Sequence, residues 1–152
     1  MADEALGPFL GMAAFCEHIL DEKDNVLSAI RLVDRITVML NEPMTEDSSP
    51  FVYAISCLIK FGSFGLSTER ELLVKIKTPT GKESEVVRYP IIFQPEKSGI
   101  NFKIEMNVGF KEAGVYWLLV YLEDTFFTQV PLLVDFVEKE NESSESQTKE
   151  QP

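Results

Sequence analysis

The sequence predicts an all-β protein, an antiparallel sandwich of about eight strands. Apolar residues alternate with polar ones over short stretches, and turn residues interrupt those stretches repeatedly, which is typical of strands. No stretch with helical periodicity lies between them, and this disfavours a parallel sheet with crossover helices. Length and composition agree, because 152 residues make one domain and 45% apolar with 11% aromatic residues predict a packed core.

The predicted strands follow one another through short connections. Pro79 and Gly81 mark a hairpin turn, because Pro sets φ and Gly readily adopts a positive φ. The longer connections, 41–50 and 62–70, are polar or rich in Gly and Ser. The predicted strands are 13–20, 26–38, 51–61, 71–78, 83–93, 100–108, 115–122 and 126–136.

The chain divides into three segments. We expect an N-terminal lead-in over 1–11 and the β-sandwich domain over 12–137. Residues 138–152 read EKENESSESQTKEQP, a composition that predicts a disordered acidic tail because it offers no apolar surface to bury.

The net charge of −11 is distributed unevenly. Residues 1–47 carry ten acidic and three basic side chains, 48–137 carry ten and nine, and 138–152 carry five and two. Nucleic acids and anionic membranes recruit clustered Lys and Arg, so neither is an expected partner. The acidity belongs to the N-terminal portion and the tail.

The N-terminus and the cysteines predict a cytoplasmic protein. The stretch MADEALGPFLGMAAF has no basic residue before its apolar part, so it does not resemble a signal peptide. No apolar run approaches the roughly 18 residues that span a bilayer. Cys16 and Cys57 are then expected as reduced thiols that serve as small buried hydrophobes.

Gly114 and Tyr116 stand at the entry of a late strand. This pattern resembles the tyrosine corner of immunoglobulin-like sandwiches, in which the Tyr hydroxyl bonds back to upstream backbone. In antibody domains a Cys follows that Tyr by two residues, whereas here the position is Leu118. The pattern therefore predicts an immunoglobulin-like β-sandwich without the inter-sheet disulfide, with Gly114 and Tyr116 as a structural corner.

The strand 115–122 is apolar on both faces. Side chains two apart share a face of a sheet, so Tyr116 and Leu118 point inward and their neighbours point outward. The strands 71–78 and 100–108, which we assign to the other sheet, each have one polar face. The residues expected on the apolar outer face form a candidate interface: Trp117, Leu119, Tyr121, Phe127 and Leu133.

Something is expected to cover that face, because soluble monomers seldom leave a large apolar patch bare. The first candidate is the chain itself, since the residues before Ala13 include several large apolar side chains. The second is another copy of the chain, and the third is a different protein.

Five stretches stand in a characteristic order: 14–20, 27–36, the Pro-Thr-Gly turn 79–81, Gly114-Val115-Tyr116 and 130–132. Together they resemble a family of small uncharacterised bacterial proteins with an immunoglobulin-like β-sandwich, a domain of unknown function. Arg31 stands where that resemblance would place a small residue. The resemblance implies the fold and a bacterial cytoplasmic setting, and it implies no activity or functional residue.

Neither catalysis nor a bound metal is predicted. Cys16 and the single histidine, His18, are two apart in one strand, so their side chains project in parallel, which is unsuited to proton transfer. A zinc site needs four converging ligands, and the spacing supports none. The acidic turn 21–24 and the acids Glu46 and Asp47 leave one alternative, a calcium site between end loops.

These observations predict a non-enzymatic protein interaction module without a cofactor, which uses the apolar outer sheet face to bind a protein partner or to form a homodimer. The alternative is a ligand- or calcium-binding β-sandwich that acts through its acidic end loops.

Overall fold

The computed structural model describes residues 6–24 and 26–139, which form nine strands. This part of the chain contains no helix, so none is present in it that could cross a membrane. The strands, in chain order, are β1 Leu6–Asp21, β2 Leu27–Leu32, β3 Arg35–Leu40, β4 Phe51–Phe64, β5 Thr68–Lys77, β6 Glu83–Phe93, β7 Gly99–Phe110, β8 Gly114–Leu122 and β9 Thr125–Glu138.

The strands form two sheets that pack as an immunoglobulin-like β-sandwich, which confirms the predicted fold class. The four-stranded sheet has the order β2-β1-β4-β7, and the five-stranded sheet has the order β3-β9-β8-β5-β6. All neighbouring strands are antiparallel except β3 and β9, which are parallel. The strand β5 is the direct neighbour of β8, so assigning 71–78 to the other sheet was wrong.

The predicted strand 26–38 is two strands, which explains why nine are present rather than eight. The chain bends at Val33 and Asp34 and passes there from one sheet to the other. The amide of Val33 donates a hydrogen bond of 2.9 Å to the carbonyl of Phe15 in the four-stranded sheet. The carbonyl of Asp34 accepts one of 3.0 Å from the amide of Leu133 in the five-stranded sheet.

Two predicted boundaries also differ from the structure, and a third prediction, the tail, lies largely outside the described residues. The lead-in is not separate, because β1 begins at Leu6 and pairs with β4 from there to Cys16. The connection 62–70 is short, because β4 continues to Phe64 and β5 begins at Thr68. The predicted tail falls outside the described residues beyond Lys139, whose amide donates to the carbonyl of Leu40 at 2.9 Å.

The main core lies between the sheets and is rich in aromatic rings. Phe61, Phe93 and Phe110 are fully buried. The rings of Phe61 and Phe93 meet edge to face with centroids 6.4 Å apart, and those of Phe110 and Tyr116 do so at 4.9 Å. Burying each such side chain stabilises the fold by about 2 to 3 kcal/mol.

A second, smaller cluster lies on the outer face of the four-stranded sheet. Leu58 points outward from β4, yet it is only 7% exposed because Cys16 and Ile19 pack against it. Beyond Cys16, β1 pairs with β2 only, and Asp21 at its end forms an ion pair with Lys103 on β7. The hairpin of β1 and β2 therefore crosses over the outer face of this sheet and covers it around Leu58.

Candidate interaction surface

The outward row of β8 lies at the centre of the five-stranded sheet. The inward row, Tyr116, Leu118, Val120 and Leu122, is at most 5% exposed and forms part of the main core. The outward row therefore consists of Val115, Trp117, Leu119 and Tyr121. All four are apolar or aromatic, as the sequence indicated.

The corner at the start of β8 fixes which row points inward. The hydroxyl of Tyr116 donates a hydrogen bond of 2.8 Å to the carbonyl of Glu112, the geometry of a tyrosine corner. Burial raises the pKa of Tyr116, so its hydroxyl keeps the proton that it donates. Gly114 has φ +134°, and a Cβ there would lie 2.9 Å from the Cβ of Pro79, so only glycine fits without strain.

Leu119 points outward and is nevertheless only 5% exposed. Its cross-strand neighbours are Lys75 on β5 and Gln129 on β9. The ammonium of Lys75 lies 5.6 Å from the ring centroid of Tyr121, so the lysine stem extends along the outer face. Part of the apolar row is thus covered by long side chains of the same sheet.

Phe127 does not lie on the outer face, and its predicted position is wrong. Thr128 pairs with Val120 and Phe126 pairs with Tyr121, so Phe127 is the extra residue of a β-bulge. Its ring packs edge to face on buried Phe61, with centroids 5.5 Å apart. The bulge places Phe126 outward instead, where its ring lies 5.5 Å from that of Tyr121 and half of its surface is exposed.

Leu133 is half-buried on the outward row of β9 and pairs with Val115 on one side and Arg35 on the other. The guanidinium of Arg35 forms an ion pair of 2.8 Å with Asp135 across β3 and β9. Val115 is 37% exposed. We name the following set the outer sheet face: Val115, Trp117, Tyr121, Phe126 and Leu133.

Residues 6–12 do not cover the outer sheet face. Residues 6–16 pair with β4 in the other sheet, so the predicted cover by the residues before Ala13 is wrong for 6–12, and residues 1–5 lie outside the described part of the chain. Within residues 6–24 and 26–139, no strand lies across the outer sheet face. The described strands thus leave this face uncovered, and a second copy and a different protein are the two covers from outside the chain that the sequence left open.

Charges on this side of the five-stranded sheet nearly balance. Arg88 bridges Glu71 and Glu85, which belong to β5 and β6. The side chains that alternation places outward on β3, β9, β5 and β6 include four basic and five acidic ones: Arg35, Lys75, Lys77, Arg88, Glu69, Glu71, Glu83, Glu85 and Asp135. This side is therefore close to neutral in a chain of net charge −11.

The two thiols are buried and unsuited to nucleophilic chemistry. Cys16 and Cys57 have no exposed surface and form no disulfide. Burial raises the pKa of Cys16, and burial together with the charge of Cys16 raises the pKa of Cys57 to about 12. Because the thiolate is the reactive species, both thiols remain protonated and inert at neutral pH. His18 is exposed.

Several acidic residues of the end loops already form contacts within the chain. Asp21 pairs with Lys103, and Glu22 accepts a hydrogen bond of 3.0 Å from the hydroxyl of Ser28. The backbone carbonyl of Glu46 accepts one of 3.1 Å from Lys111. Among the described residues, no three His, Cys, Asp or Glu side chains lie close enough together to hold a metal ion.

Comparisons with known proteins add little to this geometry. No family model and no curated protein sequence matches the chain. A β-glucosidase from Listeria innocua is similar in structure, with 10% sequence identity and a TM-score of 0.41. The alignment covers 68% of this chain and only 15% of that enzyme. An immunoglobulin-like protein from Pseudomonas aeruginosa shows 12% sequence identity and a TM-score of 0.38. The alignment covers 87% of this chain and 97% of that protein. The resemblance to the bacterial family stays a prediction.

Proposed function

We propose that the protein is a non-enzymatic interaction module that pairs with a second copy of itself through the outer sheet face. The observation that carries this proposal is the apolar outward row of β8, flanked by a Phe126 ring of which half is exposed. Aromatic side chains at the centre of a surface, with charged residues at its margins, match the anatomy of protein interfaces.

The charge distribution favours a second copy as the occupant. Two copies of a chain with net charge −11 repel each other over most of their surfaces. The repulsion is weakest where the two sheets would meet, because basic and acidic side chains alternate around the outer sheet face.

Light scattering behind size exclusion tests the proposal over a wide range of protein concentrations. We expect a mass near twice 17.2 kDa at high concentration for the wild type. The Trp117→Glu variant should remain at 17.2 kDa, since a buried carboxylate without a partner is strongly unfavourable.

A matched variant separates the outer sheet face from apolar surface in general. Leu32 on β2 is 68% exposed and belongs to the other sheet, so Leu32→Glu should dimerise like the wild type. Thermal unfolding of both variants shows whether the fold is intact. A wild type that stays monomeric at all concentrations, or a Trp117→Glu variant that still dimerises, would contradict the proposal.

A further inference from the structure

The strand β1 leaves its neighbour β4 part of the way along its length. The two strands are paired up to Cys16 and Ser56. Beyond this point β1 pairs with β2 only, while β4 stays paired with β7. The residues 51–55 of β4 therefore have a neighbouring strand on one side only, and a cleft of about 770 Å³ lies between this part of β4 and residues 17–20 of β1.

The free edge of residues 51–55 carries main-chain groups without a neighbouring strand. Near the other end of β4, the amide of Ser63 donates to the carbonyl of Ser98, on the side of β7. The pairing of β4 with β7 keeps one register, so alternation directs the amides of Val52 and Ala54 to the side that β1 has left. Both residues are exposed. A continued β1 would bond with these groups, so its departure needs a physical cause.

The side chains of β1 that point into the main core are followed by a carboxylate. Phe15, opposite Cys57, belongs to the main core. Side chains two apart share a face of a sheet, so in a continued register the next residue of this row would be Glu17, opposite Ile55. Ile55 is 2% exposed, and the carboxylate of Glu17 would be buried beside it. Burial of a charge among apolar side chains is strongly unfavourable.

In the structure β1 avoids this burial by crossing to the outer face of the sheet. The side chain of Glu17 is 28% exposed there and forms an ion pair of 3.3 Å with Arg31 on β2. Ile19, two residues further along, packs with Leu58 in the small cluster on the outer face. Charged residues that would point inward are a known means of keeping strand edges from pairing.

We propose that the charge of Glu17 holds the hairpin of β1 and β2 away from the free edge of β4. When that charge is removed, residues 17–21 continue the pairing along 51–55 and close the cleft. The new main-chain hydrogen bonds then replace the ion pair of Asp21 with Lys103. The hairpin is thus a strap that one side chain keeps open. This device belongs to the four-stranded sheet and does not depend on the outer sheet face, so either proposal can fail without the other.

Hydrogen exchange of the full chain, followed by NMR at the amides of Val52 and Ala54, tests the proposal. Both amides should exchange rapidly in the wild type. In Glu17→Val their exchange should slow by about a hundredfold or more, because they then donate to carbonyls of β1. Glu17→Thr, a second neutral variant with a strand-forming side chain, should show the same protection. Thermal unfolding shows that both variants are folded.

Two further variants separate the charge of Glu17 from other causes. Glu17→Asp keeps the charge on β1, and Glu105→Val removes the same charge from the lining of the cleft on β7. Both should leave the two amides exchanging as fast as in the wild type. Slow exchange in the wild type would overturn the proposal, because the edge would then be paired already. Fast exchange in both neutral variants, or protection in Glu17→Asp or Glu105→Val, would overturn it as well.

Discussion

The two sheets of this sandwich treat their outer faces differently. On the four-stranded sheet, the outward Leu58 is covered by the crossing hairpin of β1 and β2. On the five-stranded sheet, the outward row of β8 is covered only in part, by side chains such as Lys75 from the neighbouring strand. One apolar surface is covered by backbone at Leu58, and the other is covered only in part, by flexible side chains.

This difference indicates which face is available for association. A hairpin that forms hydrogen bonds and an ion pair, Asp21 with Lys103, cannot leave without loss of both. A lysine stem over an aromatic ring can move aside at a cost of about 0.5 to 1 kcal/mol. The outer sheet face can therefore exchange its own cover for a partner, whereas the surface at Leu58 belongs to the folded core.

The largest expected effect compares the two covers directly. Leu58→Ala should lower the free energy of unfolding by about 3 kcal/mol, because the hairpin cannot collapse into the cavity. Leu119→Ala should cost about 2 kcal/mol, since Lys75 and Gln129 can relax around it. Urea unfolding of both variants measures the difference. Equal costs, or the reverse order, would show that the two covers are equally rigid.

The pH dependence of the free energy of unfolding tests how well water is excluded from Cys57, near the point where β1 leaves β4. Burial raises the pKa of Cys57 to about 12 in the folded chain, above an ordinary value of 9.0. Its contribution to stability is thus complete below about pH 9 and is lost as the pH rises towards 12. At pH 10 the wild type should have lost about 1 kcal/mol more than Cys57→Val. Identical pH profiles in denaturant melts would mean that water reaches this thiol.

The tyrosine corner decides which row of β8 faces outward. Tyr116→Phe removes the hydrogen bond to Glu112 and should lower the free energy of unfolding by about 1 kcal/mol. The register of β8 should survive, so self-association should be unchanged in light scattering. A Tyr116→Phe variant that is as stable as the wild type would contradict the stabilising role of this hydrogen bond, and one that no longer associates would show that the register of β8 depends on it.

The smallest effect concerns the backbone of the hairpin. Arg31 has φ +58°, a conformation that glycine adopts without strain, and its ion pair with Glu17 is exposed. Arg31→Gly should therefore raise the free energy of unfolding by about 0.5 kcal/mol in thermal melts. A lower melting temperature would show that the Glu17 pair holds the hairpin in place.

The sequence predicted the elements that depend on local pattern. Alternation along 115–122 placed Tyr116 and Leu118 inward, and both are buried. The pattern of Gly114 and Tyr116 predicted a tyrosine corner, and the hydroxyl of Tyr116 donates to the carbonyl of Glu112. In each case the signal lay within a few neighbouring residues.

The remaining features depend on partners that are distant in the sequence. Phe126 and Phe127 are identical in type, so alternation could not show which of them a bulge turns outward. The bend at Val33 and Asp34 contains neither Gly nor Pro, and it follows from pairing with two different sheets. The burial of Leu119 depends on β5 as its neighbour, which no local pattern indicates.

The same limit applies to the point where β1 leaves β4. The separation of these strands after Cys16 depends on which face of the sheet Glu17 would occupy, and alternation alone does not show which row of β1 points inward.

The most direct test of the outer sheet face uses its own chromophore, because Trp117 is the single tryptophan of the chain. Its emission should be recorded during dilution of the full chain from high concentration, with acrylamide quenching at each step. If two copies pair through this face, the emission shifts to the red and quenching increases as the mass falls from dimer to monomer. Emission and quenching that stay constant while the mass halves would place the contact elsewhere and contradict the account.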